Sequence, residues 1–384
     1  MRCSLTFSAS SLQLSSAAIF NGATGSRFCV WSMFCIAVLL QRCLVLPKKG
    51  YHFHRVRARL RCKEWAIHVK CLKVQPEGAG KSERRGSKMG DFVLACSSTV
   101  DQPKKFFDDR DIPYICFRWI SDDGEVHLDD LGQSLSFEEF YARMRKGALP
   151  KTSQPNFQDF FDFFESFLRE GRDVLYLTLS SGISGAMGSA VSAAEALKEN
   201  YPERSIYVVD SRNASLGYAL LVDAVWRQKD AGRSFKDCCD YALRAREQVE
   251  TWFYSTDLSW YVHGGRVKPV AGLVGNILNI CPVLHVDREG RLIPQMKVRG
   301  KQKAAQALIQ KMEELAADGR DYHGPVYIVH SDCPEEGEKL SRMVRERFPA
   351  MEGMPVVSNI GCVIGAHTGP GTAALTFLGE SHIE

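Results

Sequence analysis

Three short polar stretches carry residue types that could do chemistry. They are "TSQPN" (Thr152 to Asn156), "SSGISG" (Ser180 to Gly185) and "HTGPGT" (His367 to Thr372). Each combines hydroxyls, or a hydroxyl and an imidazole, with glycine or proline. Two chemistries fit such sets. One is a cradle for an anion: backbone N–H groups at a helix N-terminus favour negative charge, hydroxyls add neutral donors, and glycine lets the backbone come close. The other is a serine nucleophile. Gly182-Ile183-Ser184-Gly185-Ala186 has the form G-x-S-x-A at a strand-to-helix turn, near the nucleophile elbow of α/β-hydrolases. Asp210 and His367 follow it in the order Ser–Asp–His. Ala186 stands where the elbow normally has glycine, which weakens the nucleophile reading. A phosphate-binding loop of the G-x-x-x-x-G-K-[ST] type does not occur.

Each of these residues also has a purely structural explanation. Thr152 and Ser153 could simply start a turn before Pro155. Ser184 could be only an N-cap. His367 alone would be an ordinary structural histidine.

The elements around these stretches must position them. "FVLACSST" (Phe92 to Thr99) and "IPYICFRWI" (Ile112 to Ile120) read as strands, with "DDGE" as a turn. "SFEEFYARMRKG" reads as a helix capped by Ser136, with Glu139 completing a capping box and Gly147 ending it. Asn156 can cap the next helix. Its Phe157, Phe160, Phe161, Phe164, Phe167 and Leu168 form one broad apolar face that Gly171 closes. "DVLYLTLS", "GAMGSAVSAAEALKEN", "SIYVVDS" and "ASLGYALLVDAVWRQKDAG" alternate strand and helix, which predicts a parallel sheet with helices on its faces. Ligands of such sheets bind outside the carboxyl ends of the strands. The helices, the Phe-rich one above all, would bring apolar surface to the same place. The expected ligand has a small anionic head and a greasy tail. Later, "HVDREGRLIP" signals a hairpin, and "PVYIVHSDC" and "PVVSNIGCVIGAHTGPGT" add strands. A second, α+β domain is therefore expected from residue 250 to 384.

Charge is segregated along the 384 residues. Residues 1–88 hold 16 Lys and Arg against 3 Asp and Glu, a net charge of +13, whereas residues 89–384 hold 33 against 42, a net charge of −9. The first 88 residues contain no Asp and 6 of the 13 Cys. Their apolar run, Phe28 to Leu40, is 13 residues long, short of the roughly 17–25 that span a bilayer. It lacks the placement and small-residue cleavage site of a signal peptide. "HRVRARLRCK" resembles a basic nucleic-acid arm, but such arms are poor in Cys and large apolar residues. No helical or strand period is sustained there. Adjacent arginines in "SERRGSKMGDF" can be encoded by a purine-rich ribosome-binding sequence just upstream of Met89. The expectation is a start at Met89, with residues 1–88 a non-native or disordered extension, followed by an α/β domain at 89–249 and the α+β domain at 250–384. After Met89 there are 7 Cys, an odd number with no CxxC pair. That points to reduced thiols in a cytoplasmic protein, not to a disulfide framework or a metal site.

With these motifs in order, the chain from Phe92 to Leu378 resembles the DegV family of bacterial fatty-acid-binding proteins. "SSTVDQP" resembles the family's opening D-S-T-x-D-x-P. "TSQPN" and "LSSGISGAMGSA" resemble its two head-group loops, and "VVDSRNASLG" the strand-loop-helix after them. "LSWYVHGGRV", "LNICPVLHVDREGRLIP", "KVRGKQKA", "HSDCPEE" and "IGCVIGAHTGPGT" resemble its second-domain motifs. The resemblance implies a two-domain fold holding one fatty acid between its domains. It implies that Thr152 and Ser184 hold the carboxylate, with Ser153, Ser181 and His367 as neighbours. It further implies no catalytic residue, cofactor or metal. The protein would be the binding subunit of a fatty acid kinase, presenting its ligand to a separate ATP-using subunit for acyl-phosphate formation and phospholipid synthesis. Arg266 and Arg299 are candidate contacts for that subunit or structural ion pairs. No nucleic acid and no stable membrane insertion are expected. The alternatives are a serine hydrolase using Ser184, and a lipid sensor or carrier without a kinase. Ser97 replaces the family's usual Asp, and Ala186 a common Thr.

Overall fold

The computed structural model describes residues 92–269, 279–351 and 353–380, together with short backbone strands between His54 and Lys73 that pair with one another. Apart from those strands, the expectations for residues 1–88 and for a start at Met89 lie outside the described residues. The chain forms two compact units, 1–84 and 85–384.

In the second unit, strand β1 (Phe92–Ser97) is buried along its whole length and leads through a 3-10 turn into helix α1 (Lys104–Asp108) and β2 (Tyr114–Ile115). Next come β3 (Arg118–Ile120), β4 (Val126–Leu128), α2 (Phe137–Arg145), β5 (Lys151–Ser153) and α3 (Phe157–Arg169). Then β6 (Asp173–Thr178), α4 (Ala186–Asn200), β7 (Ile206–Asp210), α5 (Ser215–Asp230) and α6 (Phe235–Ala245) succeed them. The order β7-β6-β1-β2 makes a parallel four-stranded sheet. Continuous apolar runs such as Phe92–Cys96 and Val174–Leu177 belong in such a sheet, because helices cover both of its faces.

The stretch Ile112 to Ile120 is not one strand. It breaks between β2 and β3, where the Phe117 amide donates to the Ser98 hydroxyl at 3.1 Å. The chain thereby leaves the parallel sheet and enters a small antiparallel one of order β4-β3-β5. This matters for function, since β5 carries Thr152 and Ser153.

The helix caps follow from sequence, with one correction. Asn156 and Asp159 form a full capping box at α3. Ser136 accepts from the Glu139 amide at 3.1 Å, but the Glu139 carboxylate pairs with Arg143, so the reciprocal half of that box is absent. The Phe-rich face of α3 is core: Phe160 and Phe164 are fully buried with ring centres 5.5 and 5.4 Å from Tyr176 of β6.

The second half comprises β8 (Val249–Ser255), α7 (Ser259–His263), β9 (Ile280–Val286), β10 (Leu292–Arg299), α8 (Lys301–Leu315), β11 (Tyr327–His330), α9 (Pro334–Arg347), β12 (Val356–Asn359), α10 (Cys362–Thr368) and β13 (Thr372–Leu378). The six strands are ordered β10-β9-β8-β13-β11-β12, antiparallel except for β11 and β12. Side chains alternate across a strand with period two. Trp252 and Tyr254 of β8, with Leu375 and Phe377 of β13, join a core made with α8 and α9. Thr251 and Phe253, with Thr372 and Ala374, therefore face the other way, into a cavity.

Candidate binding cavity

The cavity, of about 340 Å³, lies between the carboxyl ends of the parallel strands and the inner face of the six-stranded sheet. From the first sheet it takes Leu179, Ile183, Ser184, Ala214 and Ser215. The facing sheet gives Thr251, Phe253, Val286, Val329 and Ala374. Phe117, Thr152, Ser153 and Gln154 close one side, and Tyr261, Arg266, Ile364 and His367 another. Most of these side chains are apolar, so the polar ones are informative.

Thr152 and His367 meet across 215 residues of sequence, with Thr152 Oγ1 2.8 Å from His367 Nε2. His367 sits in the last turn of α10, not in a loop as "HTGPGT" suggested. Its Nδ1 is buried without a hydrogen-bond partner. Burial, then the nearby positive charge of Arg266 and of His263, pushes the imidazole down from 6.5 to about 4, so it is neutral at neutral pH. Ser184 precedes α4. Its hydroxyl donates to Gln154 Oε1 at 3.2 Å and accepts from the Ala186 amide at 3.2 Å. Gly264 packs so closely that a Cβ there would stand 2.3 Å from His367 Nδ1.

Arg266 lines the same cavity. Its Nε donates to the Ile183 carbonyl at 3.1 Å and its Nη1 to the Gly264 carbonyl at 2.6 Å. Among the described residues no carboxylate pairs with it. Desolvation holds its pKa below the usual arginine value. A half-buried guanidinium without a counter-ion favours an anion arriving from outside.

A family profile described as "Uncharacterised protein, DegV family" matches residues 93–380. A DegV domain-containing protein of Clostridium perfringens is 34% identical over 293 residues, covering 76% of this chain and 99% of the relative. This chain belongs to the DegV family. A relative from Thermotoga maritima named a fatty acid-binding protein is 33% identical over 284 residues, covering 73% of this chain and 94% of its own. Among solved structures, a Thermotoga maritima protein described as revealing fatty acid binding function superposes with a TM-score of 0.65 at 29% identity, covering 76% of this chain and 99% of that one. A DegV protein from Thermus thermophilus, described for its fatty acid binding, gives 0.67 at 26% identity, covering 76% and 100%. The two-sheet α/β architecture is thus the DegV fold.

The residues expected at a DegV head group divide into two sets. Thr152, Ser153, Ser184 and His367 line the cavity together. Ser181 does not. Its hydroxyl donates to Asp210 Oδ2 at 2.6 Å and its amide to Oδ1 at 3.2 Å, which fastens the loop to the end of β7. Arg266 is in the cavity wall, whereas Arg299 is exposed at the end of β10. The Phe-rich face of α3 contributes nothing to the lining, which corrects its expected part in holding a tail; α3 spends that face on α4 and β6. The rival Ser–Asp–His set is not assembled: Ser184 bonds Gln154, Asp210 bonds Ser181, and His367 bonds Thr152. Gln154, unassigned from sequence, orients Ser184; its place in "TSQPN" was the available signal.

Among the described residues no group of three potential ligands could hold a metal ion, and no helix is long and apolar enough to cross a membrane. All seven described cysteines are free.

Proposed function

We propose that this DegV protein binds a long-chain fatty acid in the cavity, without catalysing a reaction itself, and presents it to a separate ATP-dependent fatty acid kinase subunit. The observation that carries the reading is the clustering of Thr152, Ser184, His367 and Arg266 in the wall of a mostly apolar cavity. Burying a C16 chain is worth roughly 12 kcal/mol gross at ~0.8 kcal/mol per CH₂, less the cost of immobilising both partners. The chain thus supplies affinity and the polar groups fix orientation.

The head-group chemistry follows from the neutral His367. With its proton on Nε2, it donates to Thr152 Oγ1 and leaves the Thr152 O–H free to donate to a carboxylate. Ser184 supplies a second hydroxyl, released from Gln154. Neutral donors hold an acid without the full charge pairing that would blunt it as a nucleophile toward a phosphoryl group. Arg266 adds positive charge nearby, suited to the greater negative charge of an acyl phosphate. Arg299, exposed, is kept as a contact for the kinase subunit.

Lipid extracted from the purified protein and identified by denaturing mass spectrometry tests the binding reading; a Thr152→Val, Ser184→Ala double variant should retain less fatty acid. Unchanged retention in that variant would show the head group lies elsewhere. Incubation with a kinase subunit and ATP tests presentation. Fatty acid bound but never phosphorylated would leave a carrier or sensor.

A further inference from the structure

A separate cavity, of about 500 Å³, lies at the amino ends of the parallel strands and shares no lining residue with the candidate binding cavity. Val93 of β1, Tyr114 of β2 and Arg172, which precedes β6, line it from the strand starts. Phe167 in the last turn of α3 and Lys229 in the last turn of α5 line it from the helix ends. The carboxyl ends of these strands, where ligands of such sheets ordinarily bind, are at the opposite edge.

Two cations of this wall are incompletely compensated. Lys229 is half-buried, with its ammonium over the Phe92 ring at 5.4 Å. Among the described residues no carboxylate forms an ion pair with it. Burial pushes its pKa below the ordinary lysine value; Asp111 opposes this without pairing with it, and the like charge of Arg172 adds to it. Arg172 pairs with Glu170 at 2.7 Å, but the Glu170 side chain is 60% exposed, so the pair is worth little. The Arg172 Nε is buried without a hydrogen-bond partner. The acids of the same wall do not cancel these charges. Asp108 is held by Lys104 at 2.5 Å, and Asp111 is exposed, where water and salt screen it.

Bringing two like charges to one partly desolvated wall costs free energy, and an anion between them relieves both. The rest of the lining sets the shape of such a ligand. Phe107 and Tyr114 present rings 4.5 Å apart, and Phe167 presents a third beneath the Arg172 guanidinium at 5.4 Å. We infer that this cavity is a further ligand site, for a small organic anion whose charged group lies between Arg172 and Lys229 and whose apolar body rests on Phe107, Tyr114 and Phe167. No residue of this site has a part in the proposed fatty-acid binding, so the inference stands apart from that reading.

The test uses the full chain and fluorine NMR, with 4-fluorobenzoate as the probe and 4-fluorobenzamide as its neutral counterpart. The benzoate should bind saturably, and the benzamide about tenfold more weakly, the loss of one charge-assisted hydrogen bond. Lys229→Met, which keeps the apolar stem, and Arg172→Gln should each weaken the benzoate about tenfold. Lys229→Arg keeps the charge and should retain binding, which separates a lost contact from a lost fold. The Thr152→Val, Ser184→Ala variant should bind the benzoate as the native chain does. The inference is overturned if the benzoate does not bind, if the benzamide binds as well, or if either charge can be removed without loss. Binding lost in the Thr152→Val, Ser184→Ala variant would place the probe in the candidate binding cavity and overturn it equally.

Discussion

Thr152 and His367 hold one another across the cavity: a strand residue of the small antiparallel sheet and the last turn of α10 meet at 2.8 Å. The bond joins the two halves of the fold at the point where an acid group would sit. In the proposed head-group arrangement the neutral imidazole donates through Nε2, which leaves the threonine proton to be given to a ligand.

Stability should fall with acidification through His367. Its folded pKa of about 4 lies below the unfolded 6.5, so as pH falls the unfolded chain takes up a proton first. The stabilising contribution is complete above pH 6.5, drains away between 6.5 and about 4, and changes no further below that. The full effect is at most about 3 kcal/mol. Thermal unfolding of the native protein and of His367→Gln, compared across that window, checks this. The native protein should lose more than the variant; parallel curves would mean the imidazole is not held neutral by the fold.

Gly264→Ala should disable the head group while leaving the fold in place. Gly264 has an ordinary helical φ of −70°, so alanine suits the backbone. Its Cβ, however, would fall 2.3 Å from His367 Nδ1, and the ring must move off Thr152. Fatty-acid retention is expected to drop roughly tenfold, the loss of about one buried hydrogen bond. Gly265→Ala is the control. It meets nothing within 4 Å but has φ +71°, so it should cost about 1 kcal/mol of stability with retention unchanged. Equal retention in both variants would exclude this packing as the cause.

Residues that act through near neighbours are readable from sequence; those that act across the fold are not. Asn156 caps α3 as its place before the Phe-rich run suggests, and Asp159, three residues on, completes a capping box that was not expected there, whereas the box expected of Ser136 and Glu139 forms only in half. Gly290, at φ +73°, turns the β9–β10 hairpin that "DREGR" announces. The Phe stripe of α3 is legible as an apolar face, but periodicity cannot say whether a face meets a sheet or a ligand. The carboxyl ends of the parallel strands do open on a cavity, and four of the five residues expected at a head group line it together. Arg266 reads as a surface contact because nothing in "HGGRV" tells that its guanidinium turns inward to Ile183, 83 residues away. Asp129 gives no signal at all: its partners, the Cys362 and Val363 amides, lie more than 230 residues along the chain.

That last residue supplies a prediction with the opposite pH sign. Asp129 is buried, and its carboxyl is raised from 3.8 to about 6 by desolvation, opposed by the Val363 and Cys362 amides. The folded state therefore binds its proton more tightly than the unfolded chain. The associated stabilisation is full below pH 3.8 and is lost as pH rises through 6. Above pH 6 the native protein carries a buried carboxylate at the start of α10, the helix that bears His367. Asp129→Asn removes the charge and keeps one oxygen to accept from the Cys362 and Val363 amides. The variant should gain on the native protein in thermal stability as pH is raised from 4 to 7, by about 3 kcal/mol at most. A difference that stays constant over that range would show that the two amides, at 3.3 and 3.4 Å, already hold the carboxylate as well as water does.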